Sequence, residues 1–331
     1  MRDPFIVAPI PWLADLVQPW CDRLKLTTLP LHIHEVVISA LLYSVVFWPI
    51  SPLISNYLAP EHYPKLSRKK RLNWDAHVVS MVQSCLINAL AIWVLFAEGE
   101  RAAMGWEERG YTGASAMIQA MAAGYFVWDL VVTSFNLDVF GIGTLAHAIA
   151  ALLVYALGFR PLVNYYSSIF ILWELSTPFL NLHWFMDKVN MTGSKFQLYN
   201  GILLLSSFFF SRLIYGNYQS FRAFSDIWYT MGRNPTAPGN GKPGVMVFAT
   251  DASTVAPWLG LSYLASNAVL GALNVYWFFM MVKAVTKRFV PADTSNEKSD
   301  LKEEPITEIE VDVSGVASAV SNAAKPRSRR A

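Results

Sequence analysis

Charge is what this chain has least of. Only 15% of its 331 residues are Asp, Glu, Lys or Arg, against 54% hydrophobic, whereas about a quarter of a soluble domain is charged. A water-soluble globule is excluded, and the chain reads as a membrane protein. With a formal net charge of only +2 and no basic stripe interleaved with aromatics, a nucleic-acid surface is excluded too. Cysteine is scarce: Cys21 and Cys85 cannot make a disulfide framework, and Cys85, inside an apolar run, suits the role of a small hydrophobe. A Gly-x-Ser-x-Gly elbow, a phosphate loop and a His-Glu-x-x-His motif are all missing. His32 and His34, two residues apart, point to different sides of a helix, so no metal is expected and both read as interfacial anchors. The start, MRDPFIVAPIPWLADLVQPW, lacks the basic-then-apolar layout of a cleavable signal. It reads as mature sequence at the membrane interface, held by Trp12 and Trp20.

Long apolar runs are what is present. Stretches of spanning length fall at about 34–57, 77–97, 114–134, 143–160, 162–185, 199–217 and 257–283, each close to the roughly 17–25 residues a bilayer requires. About seven transmembrane helices are expected, the first broken by Pro49 and Pro52. The basic run Lys65-Leu-Ser-Arg-Lys-Lys-Arg71 belongs in the cytosol by the positive-inside rule. The N-terminus, the connection 98–113 and the Gly- and Pro-rich loop about 218–256 are then lumenal, and the C-terminus is cytosolic. After Pro291 the composition turns to Ser, Thr, Glu, Lys and Ala, as in a chain that cannot bury enough apolar surface to fold. Its last residues, Lys325 to Arg330, suit a solvated tail, a contact with anionic headgroups or an arginine-type retrieval signal. The boundaries are 1–69 for an interfacial segment, first helix and basic loop, 70–286 for the membrane domain, and 287–331 for a disordered tail.

Polar groups inside such runs mark a site by default. The segment Glu174-Leu-Ser-Thr-Pro-Phe-Leu-Asn-Leu-His-Trp-Phe185 carries a carboxylate, an amide and an imidazole. Glu174 lies about eleven residues before the cytosolic end of the fifth helix and Arg212 about thirteen after the start of the sixth, so both fall near the midplane at 1.5 Å per residue. An ion pair is expected, because either charge alone would cost a few kcal/mol. A structural pair and a direct part in chemistry are both open to it. Glu174, Thr177, Pro178, Asn181 and Trp184 follow three- and four-residue steps and so share one inward face. Pro178 leaves the Glu174 carbonyl without its helical donor, which predicts a kink and a polar pocket there, with Asn181 inside it. His183 points to another side, toward the interface, and is a weaker site candidate.

In the preceding hairpin Asp129 lies about five residues before the cytosolic end and His147 about four after it, at similar depth. His147 is the candidate general base, or else a histidine bonded to a neighbouring helix. Asp75 suits the first turn of the second helix, and His77 the headgroup level.

Tyr125-Phe-Val-Trp-Asp-Leu130, Thr144-Leu-Ala-His147, the run from Glu174 to Phe185, Arg212 and Asn274-Val-Tyr-Trp-Phe278 resemble the TLC domain, over roughly residues 70–286. That family includes ceramide synthases, translocating-chain-associating proteins and ceroid-lipofuscinosis proteins, and the chain is most similar to its small lipid-homeostasis branch. The resemblance implies an all-α polytopic membrane protein in which six helices form a barrel around a lipid-accessible cavity, after one extra helix. It also implies residence in the endoplasmic reticulum or a related endomembrane. Ceramide synthases carry two adjacent histidines where this chain has Ala146 and His147, and an acidic pair follows there, whereas residues 148–158 are almost all apolar here. Three readings stay open: non-catalytic lipid binding, sensing or transfer; acyl transfer through His147 with Asp129, acyl-coenzyme A being a substrate; and a trafficking or scaffold role. The implied partners are membrane lipid (sphingolipid, fatty acyl or phospholipid) and a second copy of the chain. No cofactor is expected.

Overall fold

The computed structural model describes residues 3–98, 111–160, 164–230, 245–246 and 257–289. The tail, most of the connection 98–113 and the stretch Gly232–Gly244 lie outside these residues. α1 (Pro11–Leu24) opens on a proline, whose missing N–H is no loss in a first turn, and stops at Lys25, which takes φ 54°. Trp12 and Trp20 are exposed on it. α2 (Leu29–Val45) runs through a π turn at Val46–Ile50 into α3 (Ser51–Leu58). The break falls at Trp48 (φ −153°, ψ 118°), because a residue before proline is driven out of the helical region. Pro52 sits harmlessly in the first turn of α3.

α4 (Arg68–Ala97) begins nine residues before the expected position of 77. Lys and Arg are good helix formers, so the basic run is helix rather than loop. Asp75 therefore sits two turns inside and caps nothing; it is buried and accepts hydrogen bonds from Ser51 Oγ (2.6 Å) and Tyr63 Oη (3.0 Å). α5 (Gly113–Phe135) is capped by Thr112, whose Oγ1 accepts from Ser115 N at 3.2 Å. α6 (Leu137–Leu157) is interrupted at Gly141, with φ 75°. The fifth expected span is not one helix kinked at Pro178. It is α7 (Asn164–Phe170), a 3₁₀ stretch Ile171–Ser176 and α8 (Thr177–Lys188), with Pro178 in the first turn of α8. α9 (Lys195–Phe208), a π turn Phe209–Tyr215 and α10 (Gly216–Thr230) follow, then α11 (Pro257–Phe289). The sixth span thus extends well beyond 217, and Arg222 is helical rather than in a loop. β1 (Tyr111–Thr112) pairs antiparallel with β2 (Val245–Met246).

Among the described residues six helical runs are long and apolar enough to cross a membrane: Leu29–Leu58, Arg68–Ala97, Gly113–Phe135, Leu137–Leu157, Lys195–Tyr229 and Pro257–Val285. The protein is an all-α, multi-pass membrane protein. The pieces of the broken run α7–α8 add to roughly 40 Å at 1.5 and 2.0 Å per residue, long enough for a further passage. Its direction is fixed by contacts with α4: Asn88 meets Glu174, His77 meets Asn181 and Trp74 meets Trp184, so the two run antiparallel.

Contacts between connections sort them onto two faces. On one, Lys69 Nζ pairs with Asp138 (2.7 Å) and Asn190 Nδ2 reaches His62 Nε2 (3.0 Å). The basic run, the α5–α6 turn and the α8–α9 turn therefore lie together. On the opposite face Thr28 Oγ1 donates to the Phe159 carbonyl (2.9 Å), Arg160 bonds the Leu24 carbonyl, and the Arg160 guanidinium lies over Trp258.

Helix neighbours close a ring: α5 on α6, α6 on α11, α11 on α9–α10, α9 on α8, α8 on α4 and α4 on α5. α2 packs outside the ring against α5. That contact is close because α5 presents small residues, Ala116, Ala120, Ala123 and Gly124, all buried, and small residues let membrane helices approach. A Cβ on Gly124 would lie 2.5 Å from the Val36 carbonyl oxygen. Gly124→Ala should therefore destabilise the protein by about 1–3 kcal/mol, read as a lower melting midpoint in detergent. Gly271→Ala, with nothing within 4 Å of the new methyl, should be neutral or stabilising.

Candidate functional site

Inside the ring is a cavity of about 920 Å³, counted with its mouth and lined by α5, α6, α7, the 3₁₀ stretch, the run Phe209–Thr230 and α11. Its wall is largely apolar and aromatic, including Phe126, Ala151, Phe170, Phe224 and Leu264. It extends from His147 on α6 to Gly158 just past its end, roughly 16 Å at 1.5 Å per residue. His147, Glu174, Arg212 and Asn274 make its polar end.

Arg212 organises that end. Its Nε donates to Ser176 Oγ (3.1 Å), Nη1 to Asn274 Oδ1 (2.9 Å) and Nη2 to Thr177 Oγ1 (3.0 Å). Nη2 also lies 3.6 Å from Glu174 Oε1, and both side chains are nearly buried, at 7% and 12% exposure. Phe208 covers the guanidinium, 4.9 Å from its ring centroid. The acceptors come from two places, the 3₁₀–α8 junction and α11, so one cation bridges three consecutive helical runs. A guanidinium, with five donors in a rigid fork, suits this where an ammonium would not. The local backbone makes it feasible. The 3₁₀ stretch ends where Pro178 removes a donor, and the Glu174 carbonyl takes Thr177 N–H and Asn88 Nδ2 (2.8 Å) instead.

The structure brings Glu174, Thr177 and Arg212 together, with His147 lining the same cavity. His147 has no hydrogen bond among the described residues; it lies against Phe126 and Trp277, with centroids at 6.1 and 5.7 Å. It is not bonded to a neighbouring helix, and Asp129 is not its partner. Asp129 accepts instead from Thr133 Oγ1 at 3.4 Å, one turn on along α5, and is not part of the cavity lining. Asn181 also turns away from the cavity. Its Oδ1 accepts from His77 Nδ1 (2.7 Å) and its Nδ2 donates to Ser80 Oγ (3.0 Å). The 3₁₀ stretch, tighter than an α-helix, rotates α8 relative to α7, which is why Glu174 and Asn181 do not share one face. His77 is no headgroup residue: it stacks on Trp184 at 4.0 Å, inside the α4–α8 contact. His183 stays off the cavity and faces α9, where a Cβ on Gly201 would lie 3.5 Å from its Cε1.

Three residues escaped the sequence reading as site residues. Asn274 Nδ2, Trp173 Nε1 and Tyr263 Oη all belong to cavity-lining residues and have no hydrogen-bond partner among the described residues. Asn274 carried a signal, an amide in an apolar run; Trp173 and Tyr263 looked like the interface aromatics common in membrane helices.

Because Glu174 and Arg212 share one network, their effects on stability should be coupled. Arg212→Met should lower the melting midpoint more than Glu174→Gln, since it also strands Ser176, Thr177 and Asn274. The double variant should be less harmful than the sum, with a coupling of about 0.5–3 kcal/mol. Strict additivity in denaturation of the four proteins would show that the pair does not interact.

The family model of the TLC domain matches residues 73–283. An uncharacterised TLC domain-containing protein of Schizosaccharomyces pombe is 42% identical over 277 residues, 83% of this chain and 86% of that one. Topoisomerase I damage affected protein 4 of Saccharomyces cerevisiae is 26% identical over 80% of this chain and 88% of its own. TLC domain-containing protein 4 of Homo sapiens is 26% identical over 78% and 90%. No solved structure matches. With the matched region spanning the ring and its cavity, the chain belongs to the TLC-domain family.

Proposed function

We propose that this protein binds a membrane lipid in its ring cavity and contributes to lipid homeostasis by non-catalytic binding, sensing or transfer in the endoplasmic reticulum or a related endomembrane. The observation that carries the reading is a largely apolar cavity ending in an amide donor with no partner among the described residues, Asn274 Nδ2, beside His147 and an Arg212 that already donates three hydrogen bonds. Apolar walls suit an acyl chain, and a few convergent polar groups suit the carbonyl, hydroxyl or amide of a lipid's polar part. Arg212 is already committed to four protein groups, so a neutral or weakly polar group fits better than a second anion. Ala146 beside His147 removes the neighbouring imidazole through which acid and base roles would be divided.

Acyl transfer is the second reading, favoured by one observation: His147 faces the cavity with its ring nitrogens unbonded among the described residues. A general base contributes roughly two to four orders of magnitude, which separates the two. Protein purified in mild detergent should yield a defined lipid by mass spectrometry. Val154→Trp, which fills the cavity, should deplete it, and His147→Ala should retain it with little change in composition. Turnover of acyl-coenzyme A and a lipid acceptor, abolished in His147→Ala but kept in His183→Ala, would replace binding by catalysis.

For the orientation, the positive-inside rule puts the face with the basic run in the cytosol. Asn190-Met-Thr192, the only acceptable glycosylation sequon in the sequence, shares that face through Asn190 and His62. It should stay unmodified in a eukaryotic secretory membrane. A glycosidase-sensitive mass shift that vanishes in Asn190→Gln would invert the orientation.

A further inference from the structure

The segment before α1 folds back across the start of α2. His34 Nε2 lies 3.0 Å from the Val7 carbonyl oxygen, the Phe5 ring stands edge-on to the His34 ring at 5.6 Å, and Phe5 N–H donates to Asp3 Oδ1 at 2.9 Å. This brings Asp3 to the α2 surface that carries His32 and Glu35, which are one turn apart and so share a face. His32 Nδ1 is 2.6 Å from Glu35 Oε1 and 3.2 Å from Asp3 Oδ2. One ligand atom from each of the three residues lies within 4.8 Å of the others.

The surroundings make this arrangement costly without a cation. His32 is 3% exposed and Glu35 0%, and Glu35 Oε2 has no N–H or hydroxyl donor among the described residues. The single Nδ1 proton of His32 cannot serve two carboxylates well, and the fully buried Glu35 is left with one oxygen unserved, although His34 Nε2 also approaches its Oε1 at 3.7 Å. A divalent ion balances two carboxylates and takes the neutral imidazole as a third ligand.

We infer that Asp3, His32 and Glu35 form a binding site for one divalent transition-metal ion of the zinc class, which staples the N-terminal segment to α2. One imidazole nitrogen and two carboxylate oxygens are a borderline donor set, suited to zinc or its first-row neighbours, whereas calcium and magnesium favour all-oxygen shells. Ligand bonds of 2.0–2.2 Å in a tetrahedral arrangement place donor atoms roughly 3.3 Å apart. The His32–Asp3 pair already has that spacing, and Glu35 reaches it by a small side-chain rotation. His34 stays outside the set: its Nε2 lies 3.7 Å from Glu35 Oε1 but is nearer the Val7 carbonyl, at 3.0 Å. The two-residue spacing of His32 and His34 hid the site in the sequence, since the second and third ligands are carboxylates at positions 35 and 3.

The test uses full-length protein in detergent, purified without a polyhistidine tag, stripped with chelator, given zinc alone and gel-filtered. Metal content by elemental mass spectrometry should show about one zinc retained per chain, with a raised melting midpoint. Glu35→Gln and His32→Ala should lose both. Asp3→Asn, at the partly exposed edge of the cluster and outside every helix, keeps the protein folded and should weaken zinc binding by at least about tenfold; it decides the matter if the buried variants fail to fold. His62→Ala, outside the cluster, should change nothing. No zinc retained by the wild type, or equal retention by Asp3→Asn, would overturn the site and leave the three groups as a hydrogen-bonded clasp.

Discussion

A guanidinium in the middle of a hydrocarbon-spanning ring has to be bonded at every face, and the inner half of this protein is arranged around that requirement. Arg212 would cost several kcal/mol in isolation at such depth. Its partners Ser176, Thr177, Glu174 and Asn274 come from two other helical runs, so satisfying it also ties the α7–α8 and α11 passages to its own. The helices could pack in many rotations by apolar contact alone, since lipid tails are as apolar as leucine. The fork of Arg212 selects one of them.

The irregular backbone follows from the same requirement. Three of the six ring members depart from α geometry near the polar end: the 3₁₀ stretch Ile171–Ser176, the π turn Phe209–Tyr215 around Arg212 itself, and the turn at Gly141 below His147. Each departure frees or redirects backbone groups, which within a membrane is tolerated only where protein resatisfies them. Asn88 does this for the Glu174 carbonyl from the neighbouring α4. The side chain that repairs the helix thus sits on a different helix from the proline that broke it.

Much of this was legible in the sequence. Apolar run lengths located the passages, and counting 1.5 Å per residue placed Glu174 and Arg212 at one depth. What failed was rotation about the helix axis. Steps of three and four residues put Asn181 with Glu174, but the intervening 3₁₀ stretch turns Asn181 to His77 and Ser80 on α4. Depth likewise matched Asp129 with His147, yet depth says nothing about which way each side chain faces, and Asp129 is absorbed by Thr133. His32, His34 and His77 were assigned to the interface because polar residues near helix ends usually lie there; all three are instead turned inward, toward partners distant in sequence or one turn away. Helix starts misled too, since the basic run was counted as loop and Asp75 became a cap.

Tyr263 and Asn274 are eleven residues apart on α11, three helical turns, so they share a face and stand roughly 16 Å from one another along the axis. Each presents a buried polar atom without a partner among the described residues, and each lines the cavity. The cavity is thereby graduated. Under the lipid-binding proposal, an occupant with polar groups at matching separation would satisfy both atoms, while one that is too short would leave one of them unbonded, at a cost of about 1–3 kcal/mol. Length between polar ends, rather than headgroup chemistry alone, would then be a basis for discrimination.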